Sequence, residues 1–246
     1  GIGCDQILVI RPSHRADIFL QILNGDGSAS AACGNGARCV ADHIMGKLGQ
    51  DRLAIETDAG ILQSWRAVEY PNQISVDMGS AYLDWAAVPL ANEANTLSVD
   101  LGPPAPVSAV CHSVGNPHAV LFVDDAEAID LDNVGPPLEH HPLFPERANI
   151  SFAHQIGPNK FRMRVWERGA GITFACGSGA CAVGVAVHRS GRGSRNTEIS
   201  MDGGSVFVDW QDDGTVGGRV IMRGPVDYVF DGILSPKLIG LLRAGT

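Results

Sequence analysis

The feature that most constrains this chain is a segment that occurs twice. CGNGARCVADHI at residues 33–44 matches CGSGACAVGVAV at residues 176–187. Each copy follows a run of strand composition and opens an apolar stretch of helical length, so each reads as a glycine-rich turn from strand to helix. The leading cysteines, Cys33 and Cys176, stand 143 positions apart. That is far beyond the period of stacked repeats, so the duplication predicts two related lobes facing each other. Glycine-rich turns also recur for packing alone, and a stretch as apolar as Ala180 to Val187 is core material. Packing, however, does not ask for a cysteine at the same place in both copies.

Most of the remaining chain reads as strands: Gln6 to Ile10, Ile18 to Leu23, Leu53 to Thr57, Ile74 to Met78, Ala119 to Val123, Phe161 to Trp166, Ser205 to Trp210 and Arg219 to Met222. Helices are expected over Gly34 to Lys47, Gly177 to Arg189 and Pro236 to Ala244. Turn residues such as Asn24-Gly25-Asp26-Gly27 and Asp202-Gly203-Gly204 separate the strands. The proline-containing stretch Leu101 to Val107 reads as a connection between halves. The fold class is α/β, α and β mixed, with a first lobe over 1–82, a second over 83–231, and residues 232–246 returning to the first.

Charge narrows the partners. Eighteen basic residues against 27 acidic ones give a formal charge of -9, which lacks the positive field that nucleic acid or anionic lipid would need. Six cysteines in 246 residues with no C-x-x-C pair fit neither a disulfide scaffold nor a zinc ribbon, so reduced thiols in a cytoplasmic setting are expected. The uncharged stretch Gly169 to Val187 approaches membrane-spanning length, but its glycines with Thr173 and Ser178 argue against insertion. The chain opens on Gly1 rather than Met, so further residues upstream, a targeting segment among the candidates, are expected.

A cysteine just before a helix sits where unpaired N–H groups and the positive end of the helix dipole converge. Such a setting can bring a thiol from ~8.5 down to about 3.5–7.5, the range of a base near neutral pH. The same N–H groups can hold a carboxylate, with Gly34 and Gly177 letting the backbone come close. Two such sites facing each other would put a sulfur on each side of the carbon beside that carboxylate, which is the geometry of stereoinversion. Each oxyanion donor is typically worth about 2.7–4 kcal/mol, so several together could supply much of the barrier reduction. Nothing in the chain requires a cofactor or metal. Cys4, Cys39, Cys111 and Cys181 read as structural.

At this point the chain resembles the diaminopimelate epimerase family, through GIGCDQ at 1–6, NGDGSASAACGNGARC at 24–39, GNPH at 115–118, Ala148-Asn149, and ERGAG with ACGSGACA across 167–182. The resemblance implies two pseudo-symmetric lobes, each a curved mixed sheet around a central helix, with the site in the cleft between them. It implies Cys33 and Cys176 as the acid/base pair, and Gly34, Asn35, Gly177 and Ser178 as the carboxylate cradle. Asn24, Asn116, Asn149 and Arg168 would read the distal end of an amino-acid substrate. Glu167, His118 and Gln6 would surround the reacting centre, with Glu167 and His118 helping to set thiol protonation. A homodimer is compatible with it. Two departures stand out: the family's segment before GIGCDQ is missing, so a longer protein is expected, and Ile172 replaces the usual Glu, where a local packing change is expected.

A proline or hydroxyproline racemase would share the cysteine pair, but its substrate has no second charged end for Asn24, Asn149 and Arg168. A cysteine hydrolase needs one nucleophile and leaves the second CGSG unexplained. A non-catalytic binding module leaves the intact cysteine pair unexplained.

Overall fold

The computed structural model describes residues 3–4, 6–30 and 33–236. The expected helix over Pro236 to Ala244, and most of the expected return of residues 232–246, lie outside them.

The first half carries β1 (Gln6–Arg11), β2 (Ile18–Asn24), the two-residue β3 (Ala29–Ser30), α1 (Gly34–Leu48), β4 (Arg52–Thr57), β5 (Gly60–Arg66) and β6 (Gln73–Asp77). Then come β7 (Val110–Ser113), β8 (Pro117–Phe122), α2 (Leu131–Glu139), β9 (Asn149–Gly157), β10 (Lys160–Glu167) and the short β11 (Gly171–Ile172). The chain continues with α3 (Gly177–Arg189), β12 (Asn196–Met201), β13 (Gly204–Gln211) and β14 (Arg219–Pro225).

The duplicated motif belongs to a duplicated topology. In one unit β1 pairs antiparallel with β2, β2 pairs parallel with β4 across α1, and β4, β5 and β6 follow as antiparallel neighbours. In the other, β9 pairs antiparallel with β10, β10 pairs parallel with β12 across α3, and β12, β13 and β14 follow antiparallel. The two-residue strands match too, β3 on β2 and β11 on β10. An antiparallel pairing of β6 with β14 joins the units into one sheet of 14 strands.

Alternation sets which strand face meets the helices. β4 and β12 bury every second side chain, Leu53, Ile55 and Thr57 in one, Thr197, Ile199 and Met201 in the other. Around α1 these meet Leu20, Ile22, Ala41, Met45 and Val76. Around α3 they meet Phe161, Val183, Ala186, Val208 and Trp210. α3 is buried almost all round, and Gly184 sets how closely it lies on β13, since a Cβ there would fall 2.6 Å from Val208 Cγ1. α1 closes on Gly49, left-handed at φ 67°, whose N–H bonds the Met45 carbonyl.

The second half extends further than the strand composition suggested. β8 pairs parallel with β9 and β7 antiparallel with β8, and a third core builds under α2 from Leu121, Leu131, Leu138, Phe144, Ile150 and Phe152. Pro136 and Pro137 inside α2 hid it from a propensity reading. Strands β5, β7, β9 and β12 were also missed. Leu101 to Val107 is a loop closed by the Val99–Ala109 bridge, and Leu101 and Val99 pack into the third core. It is therefore not a bare link between halves. Gly169 to Val187 divides among β11, a turn and α3; among the described residues no helix is long and apolar enough to cross a membrane.

Candidate active site

Cys33 and Cys176 each occupy the residue before a helix, with extended backbone at φ -146° and φ -125°. Each sulfur turns back onto its own helix: Cys33 Sγ accepts from the Gly36 N–H at 3.2 Å, and Cys176 Sγ from the Gly179 N–H at 3.3 Å. The second glycine of each CGxG is explained by this contact. A Cβ at Gly36 would stand 3.2 Å from the Cys33 sulfur, and one at Gly179 would stand 3.1 Å from that of Cys176. The motif is thus a sulfur-capped helix start, built twice.

The two starts meet at Met222 on β14. Its Cε lies 2.6 Å from where a Cβ of Gly34 would stand and 3.3 Å from that of Gly177, so both glycines are needed for packing as well as for any bound group. Asn35 Oδ1, buried and unpartnered, points to the same spot, 3.5 Å from the Gly177 Cβ position. Arg38 and Cys181 hold equivalent places in the two copies and interact across the helix contact. Arg38 is buried, with Nη1 3.5 Å from Met222 Sδ, and makes no ion pair among the described residues.

Burial reverses one sequence expectation. Both thiols are pushed up from the ordinary cysteine value, because desolvation outweighs the helix N–H groups that favour thiolate. On Cys33, Arg38 pulls the other way; on Cys176, the negative charge of Glu167 pushes further upward. Glu167 accepts from Thr173 Oγ1, a partner the sequence reading overlooked.

Around Cys176 the expected residues form a chain of contacts. Ser178 Oγ lies 3.6 Å from the sulfur and 3.5 Å from Asn116 Nδ2, while Asn116 Oδ1 lies 2.9 Å from His118 Nε2. His118 is wholly buried and its pKa is lowered to about 3 by burial and then by Arg168, so the imidazole is neutral at working pH. It reaches the thiol end of the site through Asn116 and Ser178. Asn149 spends both ends of its amide on backbone, donating to the Pro117 carbonyl at 3.1 Å and accepting from the Arg168 N–H at 3.0 Å. The Arg168 guanidinium is half-buried, bonds the Glu146 carbonyl at 3.0 Å, and makes no ion pair among the described residues. In the other half, Gln6 and Asn24 face each other on β1 and β2 and bond at 3.1 Å, and Asn24 donates to Ser28 Oγ at 3.1 Å.

Of the cysteines read as structural, Cys111 and Cys181 are buried, but Cys4 and Cys39 are exposed and do not act as small core residues. Ile172 is 42% exposed opposite Trp166 on β10, so its side chain faces solvent. Glu139 and Met222 carried no sequence signal, since a lone Glu beside two prolines and a Met in a strand look like surface and core. Arg38, inside the repeat, could have been found by aligning the copies. Among the described residues no three His, Cys, Asp or Glu side chains are grouped to hold a metal ion.

The sequence model described as diaminopimelate epimerase matches residues 1–83 and 110–229. The chain belongs to the diaminopimelate epimerase family. Relatives so named include one from Acidiphilium cryptum, 50% identical over 97% of this chain and 84% of its own length. Another, from Rhodospirillum centenum, is 48% identical over 97% and 81%. Membership places the chain among the isomerases. Solved structures share its fold at low identity. A Bacillus anthracis phenazine biosynthesis protein of the PhzF family matches with TM-score 0.63 at 16% identity, over 91% of this chain and 82% of that one. An Agrobacterium vitis hydroxyproline epimerase with bound trans-4-hydroxy-L-proline matches with TM-score 0.62 at 15% identity, over 89% and 71%.

Proposed function

We propose that this diaminopimelate epimerase family member interconverts LL- and meso-diaminopimelate by proton transfer between two cysteines, in the cytoplasm and without a cofactor, in the supply of lysine and peptidoglycan precursors. The observation that carries the reading is the pair of sulfur-capped helix starts converging at Met222, each with a cysteine before its first turn. A substrate carboxylate held by the N–H groups of both starts would place its α-carbon between the sulfurs.

Thiolate on one cysteine takes the α-proton as the C–H electron pair moves into the carboxylate. The resulting enediolate is stabilised by the converging N–H donors. The opposite thiol then returns its own proton to the other face, so the proton count is unchanged and the two sulfurs exchange roles. Arg38 favours thiolate on Cys33, whereas Glu167 favours thiol on Cys176. The reaction starts from whichever sulfur faces the α-proton of the bound stereoisomer, with Cys33 the easier of the two to ionise. His118 holds Asn116, Asn149 seats the Arg168 backbone, and the Arg168 guanidinium reads the distal amino-acid end together with Asn24, which Gln6 and Ser28 hold in place.

The proline-type reading rests on fold alone, at 15% identity, while relatives at 42–50% identity carry the diaminopimelate epimerase name. Incubation of LL-diaminopimelate with the protein in deuterated water should give the meso isomer with deuterium at the inverted carbon. Absence of both inversion and α-deuterium refutes the reading, and efficient racemisation of proline would favour the rival.

A further inference from the structure

The loop that carries Glu167 and Arg168 is held by a carboxylate outside the site. Glu139, the last residue of α2, is 3% exposed, yet three donors converge on it. Trp166 Nε1 donates to Oε2 at 2.7 Å, the Gly169 N–H to Oε1 at 2.9 Å, and Arg147 Nη1 to Oε1 at 3.3 Å. Trp166 and Gly169 bracket Glu167 and Arg168, so one buried side chain grips the chain on both sides of the two residues that face the chemistry. The grip is rigid from behind. A Cβ on Gly135 of α2 would fall 2.4 Å from the Trp166 ring, which shows how closely helix and indole are packed. The Arg168 N–H on Asn149 and the Arg168 guanidinium on the Glu146 carbonyl complete the seating.

We infer that Glu139 is a positioning residue that fixes Glu167 against the Cys176 thiol and Arg168 toward the substrate, a role that rests on the reading of Cys176 and Glu167 as an acid/base unit. An ionised carboxylate can accept from all three donors, whereas an amide has one acceptor oxygen and turns an N–H2 toward another N–H. Glu139→Gln therefore releases at least one side of the loop while keeping the side chain's size. Misplacement of about 1 Å at a reacting group can lower turnover ~100-fold, so kcat/KM for LL-diaminopimelate should fall about 10- to 100-fold.

A general loosening of the fold would also lower activity, so the decisive readout is made without substrate. Glu167 is the charged group acting on Cys176, with Ser178 and the Gly179 N–H as its other polar neighbours. When Glu167 drifts away, Cys176 should ionise at lower pH, and its alkylation by iodoacetamide at fixed pH should become about tenfold faster, one pH unit being a tenfold change in thiolate. Cys33, on the other helix, is the internal control and should keep its rate. Trp166→Phe removes the indole donor but keeps a ring against Gly135, and should shift Cys176 the same way by less; it decides the matter if Glu139→Gln does not fold. Equal acceleration of both cysteines marks simple destabilisation and overturns the proposal. So does an unmoved Cys176 rate in the folded variants. If the unmodified protein turns over no diaminopimelate, the functional reading fails separately, because the alkylation ratio needs no substrate.

Discussion

Lowering the pH from about 7 to 4.5 should destabilise this protein chiefly through two buried histidines. His112 and His118 are opposite one another on β7 and β8, and both are wholly buried. Burial holds His118 down to about 3, with Arg168 adding to the effect. Burial also holds His112 well below 6.5, helped by Arg189 and by His118 itself. The fold thus favours the neutral imidazoles, while the unfolded chain takes up protons below about 6.5. Their contribution is fully present above that value and is lost as the pH falls toward the folded value. At pH 4.5 His118 alone should cost about 3 kcal/mol, with His112 acting in the same direction, against a whole-domain stability of roughly 5–15 kcal/mol. Asp26 and Asp213, also lowered, titrate in the unfolded chain near 3.8, below this window. Urea midpoints at pH 7, 5.5 and 4.5 make the measurement, with His118→Gln expected to start lower but fall less steeply. A midpoint that stays flat down to pH 4.5, or a variant that falls as steeply as the parent, would refute the argument. Activity should show no inflection from His118 between pH 5 and 8, since it stays neutral there.

Alkali should act through the thiols. Cys111 and Cys181 are pushed up to about 12 by burial, so their contribution is present below pH 9 and lost above it, about 1 kcal/mol each at pH 10; Cys181→Ala should flatten the urea midpoint between pH 8 and 10. Gly179→Ala places a Cβ 3.1 Å from the Cys176 sulfur and 3.2 Å from Met163 Cε, and should lower turnover about 100-fold; an assay within twofold of the parent would show that the cap is dispensable. Arg168→Lys should cost roughly 10- to 100-fold in kcat/KM with LL-diaminopimelate, because an ammonium cannot reproduce a bidentate contact; proline turnover by this variant would contradict the assignment of the distal end. Gly184→Ala, with its Cβ 2.6 Å from Val208 Cγ1, should lower stability by about 1–3 kcal/mol in a thermal melt.

The repeat was the most legible part of this molecule, and the reason is local. A cysteine and a glycine before an apolar run mark a helix start within a few residues, so Cys33, Gly34, Cys176 and Gly177 could be placed without knowing the fold, while the sulfur contacts to the Gly36 and Gly179 N–H groups came only with the structure. The distant duplication carried the paired topology with it. Most strands with clear alternation were equally visible, although β5 and β12 alternate and were passed over, whereas β7 and β9, buried along most of their length, give no period to read. What remained hidden depended on which surfaces pack together. Met222 lies between the helix starts only because β14 joins the two units, and Arg38 meets Cys181 only because the copies face each other. Glu139 holds the Glu167 loop across more than 25 residues of chain. The direction of the thiol shifts was decided at the same level. Sequence supplies the N–H groups that stabilise a thiolate, but the loss of water that outweighs them exists only once the two halves have closed over the sulfurs.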